Sequence, residues 1–140
     1  MSDKVFIDTN IFLRILTGDN KKMSDECARL LVAIKLGKIE ARTSTLVLSE
    51  IVWTLGTTYN FSKERVAKAI KSIISVSGIK VVEGHEVALA VELFENFSVK
   101  FIDSLIASIS SVQKGKWVVV SYDKDFDKLG VKRFEPSQVV

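Results

Sequence analysis

Four acidic residues of this sequence adjoin strongly apolar segments, where a charged side chain needs a specific reason to occur. An ionised carboxylate near an apolar core costs several kcal/mol unless a cation, a backbone N–H group or a metal ion compensates it. Only Lys100 closely precedes one of these acids, and Arg14 lies six residues after another, so side-chain cations are too few for all four. A divalent cation is therefore a candidate partner if the fold brings the acids together. The four acids are Asp8, Glu50, Asp103 and Asp123.

Carboxylate oxygens suit Mg²⁺ or Mn²⁺, which bind phosphate oxygens together with a few carboxylates. Such an ion lowers the pKa of a water molecule and neutralises the charge that builds on a phosphoryl group, so it favours phosphodiester hydrolysis. The other residue types exclude several alternatives. The single histidine, His85, cannot form a multi-histidine metal site, and the single cysteine, Cys27, can form neither an internal disulfide nor a cysteine-based zinc site.

The composition is that of a folded domain with a mild excess of positive charge. The chain has 140 residues, of which 47% are hydrophobic, and this predicts a single domain over residues 1–140 with Trp53 and Trp117 in its core. The net charge of +3 does not by itself indicate nucleic-acid binding. Without the four acids, however, 13 acidic residues face 20 basic ones, and a basic exterior around an acidic pocket suits a polyanion.

Signals for a membrane or for export are missing from the sequence. No apolar run reaches the roughly 18 residues that a membrane span requires. The N-terminal segment MSDKVFIDTN lacks the layout of a signal peptide. We therefore predict a cytoplasmic protein without a membrane partner.

Short apolar segments alternate along the chain with segments of helical periodicity. The apolar segments predict strands at residues 5–7, 39–42, 79–82, 117–120 and, at an edge of the sheet, 131–134. The periodic segments predict helices at residues 10–17, 24–36, 45–59, 62–77, 86–97 and 103–113. Ser62 and Gly78 are the expected N-cap and C-terminal stop of the fourth helix, and residues 46–48 would also suit a strand. The alternation predicts an α/β fold with a mainly parallel central sheet that helices flank on both faces.

The predicted elements bring the acids toward one edge of the sheet. Asp8 and Asp123 each follow a predicted strand, so both emerge at the carboxyl edge, where the sites of parallel sheets form. Asp103 begins a predicted helix, whose backbone N–H groups can hold the carboxylate, and Glu50 can reach inward from another helix. Individually, Asp103 could be a helix N-cap, Asp123 a turn residue and Glu50 an exposed helix position. Asp8 has no common structural role directly after a buried strand, and the four together favour a site.

The segments around these acids resemble those of the PIN-domain ribonucleases, and specifically of the VapC-type toxins of VapBC toxin–antitoxin pairs. The resemblance extends over nearly the whole chain, and the order and approximate spacing of all four acids fit it. The matching segments are residues 5–10 (VFIDTN), 49–51 (SEI), 101–107 (FIDSLIA) and 119–126 (VVSYDKDF).

The resemblance implies a PIN-like fold that holds Mg²⁺ or Mn²⁺ with four catalytic acids. It also implies cleavage of RNA by a homodimer that a small antitoxin protein inhibits. Asp8 and Asp103 would be the main direct ligands, whereas Glu50 and Asp123 would bind the ion directly or through water. The residues that would support the first acid are Thr9, Asn10 and Ser121, the last standing where family members often have Thr.

The fourth acid and the phosphate contact are less sharply defined. Asp123, Asp125 and Asp127 crowd the same segment, so Asp125 is the alternative fourth acid. Asp123 is preferred because it is nearest to the end of the predicted strand. Arg14 lies on the short helix that starts beside Asp8 and is a candidate phosphate contact, although an exposed arginine without such a role fits the sequence equally well.

Three other functions remain open at the level of the sequence. A PIN domain can process RNA without being a toxin, and a domain of this fold can bind RNA without cutting it. A phosphotransfer domain would instead form an aspartyl-phosphate at Asp8. Such enzymes typically have a second aspartate two residues further on, where this chain has Asn10.

Overall fold

The central feature of the protein is a five-stranded sheet in which every strand pair is parallel. The structure is a computed structural model that describes residues 4–140, so the first three residues of the predicted domain lie outside it. The strand order is β3-β2-β1-β4-β5. The strands are β1 Lys4–Ile7, β2 Glu40–Thr43, β3 Ile79–Val81, β4 Val118–Val120 and β5 Arg133–Phe134. The prediction of an α/β fold is confirmed, with β5 at an edge of the sheet.

Helices connect the strands and cover the sheet. The first four are α1 Thr9–Thr17, α2 Lys21–Lys35, α3 Thr45–Thr57 and α4 Lys63–Ile74. The remaining helices are α5 Val87–Asn96, α6 Phe101–Ala107, α7 Ser110–Gln113, α8 Asp125–Lys128 and α9 Pro136–Val139. Within residues 4–140, no helix combines the length and apolar character that crossing a bilayer requires.

The two central strands are apolar because both of their faces are covered. Val5, Phe6 and Ile7 of β1 and the three valines of β4 are all buried. In the register of this pair, Ile7 is opposite Val120. The N–H of Asp8 extends the pairing by donating to the carbonyl of Val120 at 3.1 Å. The residues that follow β1 and β4 therefore start side by side at the carboxyl edge.

The predicted helix at residues 103–113 is wrong in its start and in its continuity. Helix α6 begins two residues earlier, at Phe101, and a break at Ser108 separates it from α7. The Ser108 hydroxyl donates to the carbonyl of Leu105 at 2.6 Å and accepts from the N–H of Glu86 at 2.9 Å. These local hydrogen bonds compete with helix continuation. Asp103 consequently lies within the first turn of α6 and is not its N-cap, a position that Lys100 occupies.

Two further expectations about helix ends are corrected, and one is confirmed. Helix α2 begins at Lys21 rather than residue 24, because the side chain of Asn20 accepts from the N–H of Met23. Ser62 caps α4 as predicted. Gly78, however, is not the stop of α4, which ends at Ile74. A Cβ at Gly78 would lie 2.7 Å from the carbonyl oxygen of Ile34, so glycine there permits close contact with α2.

One predicted core residue lies on the surface. The side chain of Trp53 on α3 is 71% exposed, whereas Trp117 is partly buried and packs against the core. The guanidinium of Arg42 stands over the Trp117 ring at 5.9 Å. Aromatic character alone does not distinguish a core position from an exposed one on an apolar helix such as α3.

Candidate functional site

Asp8 lies at the carboxyl end of β1 and is held by two side chains, one from the first turn of α1 and one from the residue after β4. Its Oδ2 accepts hydrogen bonds from the Ser121 hydroxyl at 2.7 Å and from the Asn10 amide at 3.3 Å. Asn10 also donates to the Ser121 hydroxyl at 3.0 Å, and its carbonyl accepts from the N–H of Tyr122 at 3.2 Å. The adjacency of β1 and β4 thus places Asn10 and Ser121 on the carboxyl group that the sequence analysis assigned them to support.

Asp103 approaches from the first turn of α6 and is only 2% exposed. Its Oδ2 is buried and receives no hydrogen bond from the described residues. The hydroxyl of Thr9 is also buried without a partner there. A buried carboxylate oxygen without a donor is costly for the fold, and it is the kind of atom that a bound cation would satisfy.

Asp123 and Asp125 lie beside Asp103. One carboxylate oxygen from each of the three residues lies within 4.8 Å of the other two. Asp123 Oδ1 accepts from the N–H of Asp125 at 3.0 Å, and the N–H of Asp123 donates to the Ser121 hydroxyl at 3.0 Å. Both candidates for the fourth acid are therefore near Asp103, and the choice between them stays a prediction.

A cavity of about 160 Å³ opens between these elements. Glu50 reaches its wall from α3, opposite the end of β1. Among the described residues that line the cavity, Lys100 is the only cation. The lining residues are Asp8, Thr9, Asn10, Leu13, Glu50, Thr54, Lys100 and Asp103.

Burial and mutual repulsion raise the pKa of two carboxyl groups in the site. The pKa of Asp8 rises to about 6, chiefly because the group is buried, although the hydrogen bonds from Ser121 and from the N–H of Thr9 act in the opposite direction. The nearby charge of Glu50 raises it further. The pKa of Asp103 rises to about 8 because of burial first, then the charge of Asp8 and the contact with Asp123.

Lys100 and Asp123 form an ion pair at 2.9 Å between Nζ and Oδ2. Burial tends to raise the pKa of Asp123, but the N–H of Asp125 and the ammonium of Lys100 hold this pKa below its usual range. Burial likewise tends to lower the pKa of Lys100, but Asp123 and Asp103 raise it above its usual range. The pair is therefore charged at neutral pH, and the charge of Lys100 also acts on Asp8 and Asp103, whose pKa values nevertheless remain raised.

The donor set fits a hard divalent cation. The buried acids offer only oxygen atoms, Asp103 Oδ2 lacks any hydrogen-bond donor among the described residues, and burial together with neighbouring carboxylates raises the pKa of Asp8 and Asp103. Mg²⁺ and Mn²⁺ bind such oxygens, and a bound cation would reverse both pKa shifts. The residues present therefore fit one of these ions.

Arg14 lies apart from this cavity. Its Nη1 contacts Asp19 Oδ1 at 2.7 Å, and its side chain is not in the cavity wall. Asp19 also accepts a hydrogen bond from the Tyr59 hydroxyl, so Arg14 belongs to a network that joins the end of α1 to the end of α3.

Lys100 is a cavity residue that the sequence suggested only as a neighbour of Asp103. Its position immediately before the helix that carries Asp103 is the sequence feature that could have placed it in the cavity wall.

Comparison with known proteins gives one family and several similar folds. The family model of the PIN domain matches residues 5–132. No curated protein matches the sequence. The chain is similar to VapC20 of Mycobacterium tuberculosis, a Sarcin-Ricin loop cleaving toxin, with a TM-score of 0.69 and 19% identity over 94% of this chain and 99% of that chain.

Two similar structures contain VapBC proteins with bound DNA. VapBC from Salmonella typhimurium gives a TM-score of 0.68 and 15% identity over 97% of this chain and 99% of that chain. VapBC2 from Rickettsia felis, bound to a DNA fragment from their promoter, gives a TM-score of 0.66 and 16% identity over 94% of this chain and 98% of that chain. At these identities the likeness is one of fold.

Proposed function

The chain belongs to the PIN domain family, and from this premise we propose that it is a divalent-metal-dependent endoribonuclease that hydrolyses RNA phosphodiester bonds. One observation carries the proposal. Asp8 and Asp103, 4% and 2% exposed, place two buried carboxyl groups on one cavity, and Asp103 Oδ2 lacks a hydrogen-bond donor among residues 4–140. A fold that only had to be stable would gain by replacing these buried acids with apolar residues.

Four acids would hold Mg²⁺ or Mn²⁺ in this proposal. Asp8 and Asp103 are the main ligands, and Glu50 and Asp123 bind directly or through water, with Asp125 as the alternative to Asp123. When bound, the ion supplies a water of lowered pKa and neutralises charge on the phosphoryl group.

The chain's own residues orient and complete the site. Ser121 and Asn10 both donate to Oδ2 of Asp8, and the side chain of Asp8 lines the cavity. Glu50 faces the same cavity from α3 and is the group that we propose orients or deprotonates the attacking water. Asp123 is positioned by the N–H of Asp125 and can share that role.

We further propose that the ribonuclease is the toxin of a toxin–antitoxin pair. Similarity in fold to three solved structures supports this proposal. One is a Sarcin-Ricin loop cleaving toxin, and the other two are VapBC structures. The partners are then an RNA substrate, a small antitoxin and a second copy of the chain. The single domain over residues 1–140 and the cytoplasmic location belong to the same proposal.

The test of the nuclease is cleavage of a mixed RNA pool by purified protein with Mg²⁺ or Mn²⁺. We expect Asp8→Asn and Asp103→Asn to lower the rate by about 100-fold or more, because each removes a ligand charge. EDTA should abolish cleavage. Asp25→Asn, which alters an exposed acid paired with Lys21, is the matched control and should cut normally.

The outcomes separate the competing functions. Cleavage that survives EDTA or Asp8→Asn would come from a contaminant and would contradict the proposal. RNA binding without any cleavage would favour a binding module. A beryllium fluoride adduct at Asp8 would favour phosphotransfer. A small partner with a DNA-binding segment, encoded beside this gene, would distinguish a toxin from an RNA-processing nuclease.

A further inference from the structure

Lys100 occupies a place where a cation bound in the cavity would compete with it. Its ammonium lies 2.9 Å from Asp123 Oδ2, and it lines the cavity together with Asp8 and Asp103. The side chain is 63% exposed, although it projects into the acidic cluster. The lysine therefore supplies one positive charge where at least three carboxylates converge.

We propose that Lys100 is an internal counter-ion with two successive partners: Asp123 before the divalent cation binds, and a phosphate of the RNA afterwards. The inference rests on the proposed nuclease function and adds a substrate-contacting residue to it. A divalent cation among the same carboxylates repels the ammonium and competes for Asp123. The ammonium then remains at the cavity mouth with three donors and no carboxylate of its own.

The change of partner costs Lys100 little free energy. An ion pair with an exposed lysine contributes little to stability, and the flexible stem of the residue lets the ammonium move while its backbone stays at the start of α6. Its side chain makes no capping hydrogen bond to α6. Lys100 can thus change partners without disturbing the helix that carries Asp103.

A phosphate is the partner that the charges favour after the exchange. The cavity wall is acidic, so a polyanion needs a cation there in addition to the metal, and Lys100 is the only cation among its described lining residues. Arg14, the other candidate, is engaged by Asp19 outside the cavity. An ammonium binds phosphate as a point charge and tolerates different backbone positions.

The first test is Mn²⁺ binding measured by calorimetry in the absence of RNA. Lys100→Met removes the competing charge and keeps the stem, so we expect Mn²⁺ to bind about fivefold more tightly than to the wild type. Lys100→Arg should bind Mn²⁺ within about twofold of the wild type. Lys21→Met, which removes an exposed lysine paired with Asp25, controls for net charge and should change nothing. Unchanged or weaker binding by Lys100→Met would overturn the counter-ion role.

The second test uses a labelled oligoribonucleotide that the wild type cleaves, taken from a random-sequence pool. With saturating Mn²⁺, Lys100→Met should raise KM by about threefold to tenfold with little change in kcat. The slope of log(kcat/KM) against log salt should become shallower by about 0.7, as expected for one lost phosphate contact on a single strand. A change confined to kcat would contradict the phosphate contact.

The nuclease activity and the role of Lys100 are tested separately by these experiments. If the wild type neither binds Mn²⁺ nor cleaves any RNA of the pool, the nuclease proposal fails and this inference fails with it. If the wild type does both and Lys100→Met behaves like Lys21→Met, only the inference fails.

Discussion

Asp8 and Asp103 have carboxyl groups whose pKa values, about 6 and about 8, lie well above that of an aspartate in an unfolded chain. The folded protein therefore binds protons that the unfolded chain releases. For such groups the stabilising contribution is full below the unfolded pKa near 3.8 and is lost as the pH rises through the folded pKa. The unfolding free energy of the metal-free protein should consequently fall between about pH 4 and about pH 8.

The variant Asp103→Asn tests this effect at the residue scale. Because asparagine cannot ionise, we expect the metal-free variant to be at least about 2 kcal/mol more stable than the wild type at pH 8 and nearly equal to it at pH 4. Urea denaturation in EDTA measures the difference at both pH values. Asp25→Asn, which alters an exposed acid paired with Lys21, is the control for the removal of one carboxylate. Equal stability of the Asp103→Asn variant and the wild type at pH 8 would mean that the folded protein does not raise the pKa of Asp103.

The same substitution should act oppositely on function. Loss of a ligand charge should weaken Mn²⁺ binding, while loss of the buried charge stabilises the metal-free fold. A residue that gains stability and loses binding on substitution is retained for its chemistry. An N-cap or turn residue would instead lose stability when it is replaced.

At the scale of elements, the helix that carries Glu50 is fixed by a residue from another segment. Ser44 is the N-cap residue of α3, but its side chain makes no capping bond to that helix. Glu83, which follows β3, accepts from the N–H of Thr45 at 3.1 Å and from the Thr45 hydroxyl at 2.7 Å. The pairing of β2 with β3 brings this carboxylate to the helix, so the sheet positions Glu50 indirectly.

A second contact between elements, at Gly78, gives a prediction about stability. A Cβ there would lie 2.7 Å from the backbone oxygen of Ile34 and 2.8 Å from its Cγ2, so α2 would have to shift. We expect Gly78→Ala to lower the unfolding free energy by about 1–3 kcal/mol. Gly56→Ala, on α3 with nothing within 4 Å of the added Cβ, is the control and should raise it by up to about 1 kcal/mol. Chemical denaturation of both variants measures the contrast, and equal effects would show that the approach to α2 is not tight.

The elements also show what could be predicted from the sequence. The buried strands β1 and β4 are apolar on both faces, and a run such as Val118–Val120 has no alternative position in a sheet protein. Asp8 was identifiable for the same reason, since an acid directly after such a strand has no ordinary structural use. The break after α6 was not predictable, because it depends on a hydrogen bond between Ser108 and Glu86, which lie on different segments.

Side-chain partners were harder to predict than strand and helix positions. The ion pair between Lys100 and Asp123 joins residues that only the packing of α6 beside α8 brings together. The exposure of Trp53 likewise depends on which face of α3 the other helices cover, and the apolar residues of α3 occur nearly all round it. Sequence pattern determined the elements here, whereas tertiary contacts determined the partners.

At the scale of the whole molecule, large apolar side chains remain exposed along α5 and the start of α6. The rings of Phe94 and Phe101 pack edge to face with their centroids 5.4 Å apart, yet both stay substantially exposed. Contiguous apolar surface of this kind on a small protein usually forms an interface. The exposed apolar residues of this surface are Val87, Val91, Phe94, Phe97 and Phe101.

The proposed homodimer gives this surface a use and a test. We expect the wild type to elute as a dimer in size-exclusion chromatography with light scattering, and Phe94→Asp to elute as a monomer, because two opposed carboxylates would be buried in the interface. Phe94 is 47% exposed in the single chain, so the variant should keep its fold, with an unfolding midpoint lowered only by the loss of the contact with Phe101. Leu36→Asp, at the C-cap position after α2 and 66% exposed, is the matched control and should remain a dimer. A wild-type monomer at tens of micromolar would rule out a stable dimer, and a Leu36→Asp monomer would place the interface on α2.

Because the acids of the site lie at the carboxyl edge of the sheet, a monomeric Phe94→Asp variant should also keep its affinity for Mn²⁺, which separates assembly from the metal site.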